Sequence, residues 1–189
     1  MMVLDAILFN LALFSCPLSA ILSSLREEEE IHMIVRPFKP TDLDSVMSIW
    51  LSGNLEAHPF VPESYWHKNF SLVKEGILHS EVQVAEIDGT IVGFIGVQDD
   101  FVAGLFIDKN HRSQGIGKQL LERAKQHHDS LSLLVYADNI RAFAFYEREG
   151  FVAVQHSLDE ETGNYEYLMI WPDATNPGLV DSYALDEDE

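Results

Sequence analysis

An apolar segment that runs into a glycine-containing turn and an amphipathic helix constrains this chain more than any other feature. Residues 101–107 (FVAGLFI) are apolar, and residues 111–120 (HRSQGIGKQL) follow them closely. Gly115 and Gly117 lack a Cβ, so the backbone can turn tightly there and approach a ligand. The N–H groups that open the next helix then form a cradle suited to a pyrophosphate, with Arg112 and Lys118 adding positive charge at its mouth.

This loop differs from two widespread phosphate-binding motifs. A Walker A loop needs glycine at position 112, where the chain has Arg112, and serine or threonine at position 119, where it has Gln119. A Rossmann G-x-G-x-x-G loop needs glycine at position 120, which is Leu120. Both of those nucleotide-binding classes are therefore excluded.

The remaining patterns predict an α/β (α+β) domain with the element order β-α-α-β-β-β-α-β-α-β-β. Helices on both faces of a mixed sheet are the natural packing for that order. Residues 101–107 and 131–135 are nearly all apolar, so both strands are expected to be buried on both faces. The predicted strands are 34–38, 82–87, 91–97, 101–107, 131–135, 151–156 and 165–171, and the predicted helices are 43–53, 64–78, 116–127 and 139–149.

Length and charge limit the classes of function. The 189 residues suffice for one compact domain, and 31 acidic against 12 basic side chains give a net charge of −19. Such a field repels nucleic-acid phosphates and favours a cationic partner, although many acidic proteins use their charge only to stay in solution. Cys16 is the single cysteine and the eight histidines are scattered, so we expect no internal disulfide and no metal site.

The N-terminal residues differ from the middle of the chain. Residues 3–22 are apolar with polar interruptions, and the acidic run 27–30 follows them. Met33 then opens a segment that reads like a fresh protein start, so we interpret residues 1–32 as an N-terminal extension arising from an upstream start-site artefact. A weak membrane anchor is the alternative interpretation of these residues.

The C-terminal residues are expected to form an acidic disordered tail. Residues 173–189 contain six acidic side chains, no basic one and few apolar ones. Residues 33–172 are therefore interpreted as the folded domain, and we expect a cytoplasmic protein.

The glycine loop and a later helix together resemble the GNAT superfamily of acetyl-CoA-dependent N-acetyltransferases. The matching residues are R-x-x-G-x-G at 112–117 and YADNIRAFAFYEREGF at 136–151. The resemblance covers about residues 33–172 and looks closest to small bacterial enzymes that acetylate protein lysines, with HPF…YW at 58–66 and WP at 171–172. It implies a mixed, mostly antiparallel sheet of about six or seven strands with a central splay.

The resemblance also implies which residues bind the cosubstrate, acetyl-CoA. Asn139 would lie near the pantetheine and Tyr146 near the sulfur, and helical spacing independently places both on one face with the small Ala142 between them. Backbone groups of the strand would face the pantetheine and the acetyl carbonyl, and those of the loop would hold the pyrophosphate. The strand residues are Leu105, Phe106 and Ile107, and the loop residues are Arg112, Ser113, Gln114, Gly115, Ile116, Gly117 and Lys118.

The implied reaction is direct attack of a neutral amine on the thioester. Tyr146 would act as the general acid that protonates the departing thiolate, and its alternative role is that of a core tyrosine. A backbone N–H of Phe106 or Ile107 would stabilise the oxyanion. The predicted acceptor is a protein lysine side chain. The alternatives are a small amine, a protein N-terminus, a non-catalytic acyl-CoA-binding or sensing domain, and a membrane-tethered interaction protein.

The acceptor side and the general base are less constrained by the sequence. His58 and Phe101 are the candidates for lining the acceptor side. The candidates for the base, acting directly or through water, are Glu81, Glu86, Asp99, Asp100 and His58. The oligomeric state stays open.

Overall fold

The structure is a computed structural model that describes residues 33–171. The expectations for residues 1–32 and for the tail 173–189 lie outside the described residues. Over the described range the chain forms β1 (Met33–Pro37), α1 (Leu43–Ala57), α2 (Glu63–His79), β2 (Glu81–Ile87), β3 (Thr90–Gln98), β4 (Phe101–Ile107), α3 (Ile116–Lys125), β5 (Leu131–Tyr136), α4 (Ile140–Arg148), β6 (Val152–Asp159) and β7 (Asn164–Trp171).

The seven strands form one sheet in the order β1-β2-β3-β4-β5-β7-β6. Every neighbouring pair is antiparallel except β4 and β5, which are parallel. The predicted mixed, mostly antiparallel sheet is therefore confirmed.

The strands β4 and β5 separate at the centre of this sheet. They pair only at Phe101 and Ser132, where the Ser132 N–H donates to the Asp100 carbonyl at 2.9 Å. Beyond that point β5 stays paired with β7, and β4 stays paired with β3. Beyond Phe101 and Ser132, the facing edges of β4 and β5 have no strand partner within residues 33–171, which confirms the predicted central splay.

Alternate residues of the central strands pack into two separate cores. Ile95 and Val135 pack with α3 and α4 on one face, whereas Phe94 and Tyr136 pack with α1 and α2 on the other. Side chains one residue apart in a strand point to opposite faces, so both faces of the sheet bury apolar surface. Helices cover both faces, as expected.

Two sequence expectations are wrong at the splay. Helix α1 continues through Gly53 to Ala57, because Gly53 lies against the Phe106 ring, which would be 2.8 Å from an added Cβ. The glycine permits close packing of α1 on β4 rather than ending the helix. The two inner strands are also not buried on both faces: Ala103 of β4 and Leu134 of β5 are exposed, since each strand has an open edge there.

Candidate active site

A cavity of about 920 Å³ lies at the splay between β4 and β5. Its walls come from α1, α2, both splayed strands, the loop before α3, and α4. Gln114 does not line it, and its side-chain amide donates to the Asn110 carbonyl at 3.2 Å. The structure brings together all the other predicted site residues: His58, Phe101, Leu105, Phe106, Ile107, Arg112, Ser113, Gly115, Ile116, Gly117, Lys118, Asn139, Ala142 and Tyr146.

The loop 112–118, with the start of α3, forms what we call the cradle end of the cavity. Gly115 is the N-cap of α3 and has φ of +81°, a left-handed conformation that favours glycine. An added Cβ there would meet nothing within 4 Å, so the backbone angle and not crowding requires the glycine. The first N–H groups of α3 have no partner within the helix, so they are available to an anion.

Arg112 does not act as a free positive charge at the mouth of this cradle. Its two terminal nitrogens donate to the Glu56 carboxylate at 2.6 and 3.2 Å, and its Nε donates to the Ile107 carbonyl at 3.1 Å. The side chain therefore ties α1 to the end of β4 and its charge is paired with Glu56, so a charge contribution to ligand binding stays a prediction.

Two other arginines line the cavity and were missed by the sequence reasoning. Arg141 and Arg148 belong to α4, and the Arg141 guanidinium donates to the Ser113 hydroxyl at 3.4 Å. Residues seven apart share a helix face, so their spacing from each other was a signal that could have identified them.

Tyr146 combines a place in the core with a place on the cavity wall. It is 8% exposed and packs edge-on against the rings of Phe145 and Phe151. Burial raises the pKa of the Tyr146 phenol well above its ordinary value. The hydroxyl therefore stays protonated at neutral pH and can serve as a hydrogen-bond and proton donor.

We call the part of the cavity lined by His58, Tyr65, Glu161 and Glu166 the acceptor end, after its expected role. There His58 is held between two asparagines. The Asn139 side-chain amide donates to His58 Nε2 at 3.1 Å, and its oxygen accepts the Ala142 N–H at 3.1 Å as the cap of α4. The Asn54 amide donates to the Trp50 carbonyl at 2.9 Å, so its oxygen faces His58 Nδ1 at 3.1 Å. Because backbone groups orient both amides, His58 carries its hydrogen on Nδ1 and accepts at Nε2.

This arrangement suits a positioning residue better than a base. A proton on Nε2 would place one N–H group against another, because the Asn139 amide already donates to that nitrogen. Burial also lowers the pKa of His58 to about 4. The ring also stacks on Trp66 and meets Tyr136 edge-on. His58 therefore supports Asn139 and the aromatic wall of the acceptor end.

The four acidic candidates for the base lie away from the cavity. Glu86 pairs with Arg36 at 2.6 Å, and Asp100 pairs with His128 at 2.6 Å. Glu81 lies 3.5 Å from the same histidine, and Asp99 belongs to the turn between β3 and β4. Among the described residues, the acids that do line the cavity are Glu149, Glu161 and Glu166. No local motif marks them, so sequence reasoning missed them.

Between residues 33 and 171, no group of three or more His, Cys, Asp and Glu side chains is placed to hold a metal ion. Over the same range, no helix is long and apolar enough to cross a membrane.

Comparison with known proteins identifies the family. The acetyltransferase (GNAT) domain family matches residues 78–153. The chain is 31% identical over 141 residues to the peptidyl-lysine N-acetyltransferase YiaC of Escherichia coli, covering 74% of this chain and 97% of that protein. It is 29% identical to the peptidyl-lysine N-acetyltransferase YjaB of Salmonella typhimurium, covering 73% and 97%.

The fold comparison agrees with the sequence comparison. The solution structure of apo YjaB from Escherichia coli superposes with a TM-score of 0.67 at 24% identity, covering 76% of this chain and all of that one. The chain therefore belongs to the GNAT acetyltransferase family, and it is an acetyl-CoA-dependent acyltransferase.

Proposed function

We propose that this protein transfers the acetyl group of acetyl-CoA to a primary amine, and that the amine is a protein lysine side chain. The observation that carries the proposal is that one cavity contains both the glycine cradle and an end lined by Tyr65, Glu161 and Glu166. Aromatic faces and carboxylates both attract an ammonium group. The chain's net charge of −19 and the printed names of YiaC and YjaB support the same acceptor.

The residues of the cradle end fit a CoA thioester. The first-turn N–H groups of α3 and the backbone of residues 112–118 would hold the pyrophosphate, with Arg141 and Arg148 as the nearby cations. The open edge of β4 at Leu105, Phe106 and Ile107 offers backbone groups to the pantetheine and the acetyl carbonyl. Bound there, acetyl-CoA supplies an activated acyl group.

Tyr146 is proposed to donate its hydroxyl proton towards the thiolate as the carbon–sulfur bond breaks. Its phenol lies on the cavity wall, and because burial raises its pKa the hydroxyl keeps its proton at neutral pH until the thiolate forms. Tyr146→Phe removes the hydroxyl and keeps the ring, so turnover should fall by about 10²-fold. Acetyl-CoA affinity, measured by calorimetry, should change little because the proton matters mainly in the transition state. Unchanged turnover under conditions where chemistry limits the rate would make Tyr146 a structural wall.

The test of the whole proposal is CoA thiol release from acetyl-CoA with three acceptors. These are a peptide with an internal lysine and a blocked N-terminus, the same peptide with a free N-terminus and no lysine, and a polyamine. The lysine peptide should give the highest kcat/KM. Preference for another acceptor would keep the activity and change the substrate. Tight acetyl-CoA binding without turnover on any amine would support a non-catalytic acyl-CoA-binding domain instead.

We further propose that residues 33–172 constitute the catalytic domain and that the protein acts in the cytoplasm. The support for the domain is that the lining residues of the cavity, among those the structure describes, all lie between residues 50 and 166. The support for the location is the dependence on acetyl-CoA together with a composition that needs no disulfide.

A further inference from the structure

Glu166 lies on the cavity wall at the acceptor end. It lies in β7 directly opposite Tyr136 of β5. Residues opposite each other in antiparallel strands point to the same face of the sheet. Tyr136 contacts His58 and Phe60 on the face covered by α1 and α2, so Glu166 faces the acceptor end of the cavity.

The acids around Glu166 are already engaged. Asp159 accepts hydrogen bonds from the Tyr136 hydroxyl at 2.9 Å, from the Thr162 hydroxyl at 2.6 Å and from the Glu161 N–H at 3.0 Å. Although burial alone would raise it, these hydrogen bonds hold the pKa of Asp159 below its ordinary value. Glu161 accepts the Tyr65 hydroxyl at 3.1 Å on the exposed side.

Glu166 differs from both neighbours. Among the described residues its carboxylate has no hydrogen-bond or ion-pair partner, and the side chain is half-buried. Burial, and secondarily the negative charge of Asp159, raises the pKa of Glu166. A carboxylate that is raised in pKa, lacks a partner and lines the cavity is suited to accept a proton from a ligand. Glu149, which also lines the cavity, directly follows α4, and its backbone carbonyl accepts a hydrogen bond from the Lys125 ammonium.

We propose that Glu166 is the general base that takes the proton from the acceptor ammonium. This inference rests on the proposed function, since it names the base for that same transfer. The ammonium gives one proton to the Glu166 carboxylate, directly or through one water, and the neutral amine forms the new carbon–nitrogen bond. As the carbon–sulfur bond breaks, Tyr146 gives its proton to sulfur and is reprotonated by the second proton of the nitrogen. Glu166 releases its proton to water, so one proton leaves per turnover.

The surroundings of Glu166 decide how it responds to pH. A lysine ammonium has an ordinary pKa of about 10.4, so near pH 7 it must lose a proton before its nitrogen can attack the thioester. The titratable groups that face the acceptor end come from every element around it. They are His58 after α1, Tyr65 of α2, Tyr136 of β5, and Asp159 and Glu161 of the β6–β7 hairpin.

The test compares Glu166→Gln with Glu160→Gln, an exposed neighbour that does not line the cavity. Near pH 7, Glu166→Gln should lower kcat/KM for the lysine peptide by about 10²-fold, while Glu160→Gln leaves it unchanged. Acetyl-CoA affinity by calorimetry should be unchanged in both. The deficit of Glu166→Gln should shrink as pH rises from about 7 to about 9.5, because more of the free amine is then neutral. In the wild-type protein, carbon-13 NMR titration should place the carboxyl pKa of Glu166 above the ordinary value of a glutamate.

Distinct outcomes overturn distinct statements. If the wild-type protein turns over no amine, the proposed function itself fails and this inference fails with it. If the wild-type protein is active and Glu166→Gln retains its kcat/KM, or shows a deficit that does not change with pH, only the assignment of Glu166 is overturned. Glu166→Asp provides the second variant if the glutamine chain is unstable. Aspartate keeps the negative charge but is shorter by one methylene group. We therefore expect an activity between those of the wild-type protein and Glu166→Gln.

Discussion

The cradle end and the acceptor end of the cavity are built from different kinds of contact. The cradle consists of consecutive backbone groups from a single segment, residues 112–118, shaped by the left-handed turn at Gly115. The acceptor end consists of side chains that are far apart in sequence, such as His58 with Asn139 and Tyr65 with Glu161. The cradle end depends on consecutive residues, so it can be recognised as a sequence motif. The acceptor end forms only when α1, α2 and the β6–β7 hairpin pack together in the folded protein.

The largest expected difference between the two ends is in their response to acid. Burial lowers the pKa of His58 from its ordinary value to about 4, so the unfolded chain binds a proton there at a higher pH than the folded chain does. The stabilisation from neutral His58 is complete above about pH 6.5 and is lost as pH falls towards about 4. Near pH 4.5 the loss in the free energy of unfolding should be about 2 kcal/mol.

Urea unfolding near pH 7 and near pH 4.5 measures this effect, with His58→Gln as the comparison. The variant should lose about 2 kcal/mol less of its free energy of unfolding over that range than the wild-type protein does. The carboxylates with lowered pKa values, Asp42, Asp108 and Asp159, remain in both proteins and cancel in the comparison. Equal losses in the two proteins would mean that His58 is not held neutral by the fold.

The next largest expected effect is on acetyl-CoA affinity, and a matched pair of glycines, one in the cradle and one in the β6–β7 turn, tests it. Gly115 has φ of +81° and Gly163 in the β6–β7 turn has φ of +73°, and an added Cβ meets nothing within 4 Å at either. Valine strains both positions alike, by about 1–3 kcal/mol. Gly115→Val should weaken acetyl-CoA binding by at least about tenfold, because the loop must distort or present a side chain to the phosphate.

Gly163→Val is the control for strain alone. Its acetyl-CoA affinity by calorimetry should equal that of the wild-type protein, and any change should appear in KM for the acceptor. Equal weakening of acetyl-CoA binding by both substitutions would show that general destabilisation, and not the cradle, explains the result. Unchanged affinity in Gly115→Val would remove the loop from the binding site.

A smaller effect concerns the contact that joins the two ends, the pair between Arg112 and Glu56. The pair is partly exposed, so it should contribute at most about 1 kcal/mol, or about two- to fivefold in acetyl-CoA affinity through the position of the loop. Arg112→Lys and Glu56→Gln should each weaken binding by that factor. The double variant should be no worse than either single one, because both remove the same contact. Tighter binding in Glu56→Gln would show instead that Arg112 contacts the phosphate itself.

The smallest expected effect concerns the N-terminal extension. A chain that begins at Met33 should retain the acetyl-CoA affinity and kcat/KM of the full chain, because the lining of both ends, among the residues that the structure describes, starts at Trp50. Thiol release by the two chains at equal concentration checks this. A loss of activity or of solubility in the shorter chain would place residues 1–32 in the functional protein.

Local patterns were sufficient for most of the fold. The Asp88-Gly89 hairpin, the order of strands and helices and the start of α3 followed from periodicity and turn chemistry, with residues 88 and 89 both at positive φ as such a turn requires. The errors fell where a tertiary contact overrode a local signal. Gly53 reads as a helix stop in the sequence, yet it permits α1 to pack against Phe106.

The sequence by itself determined the cradle end, because a glycine in a left-handed turn and the N–H groups of one helix start are properties of consecutive residues. Asn139, Ala142 and Tyr146 could be predicted for the same reason, since helical periodicity places them on one face. Only the tertiary structure decided the acceptor end. Cross-strand pairing brings Glu166 opposite Tyr136, and two backbone-oriented amides set the hydrogen position on His58. Charge, burial and hydrogen bonding there depend on partners up to about a hundred residues away in the chain, and a side chain acquires its chemistry from those partners only once the fold has assembled them.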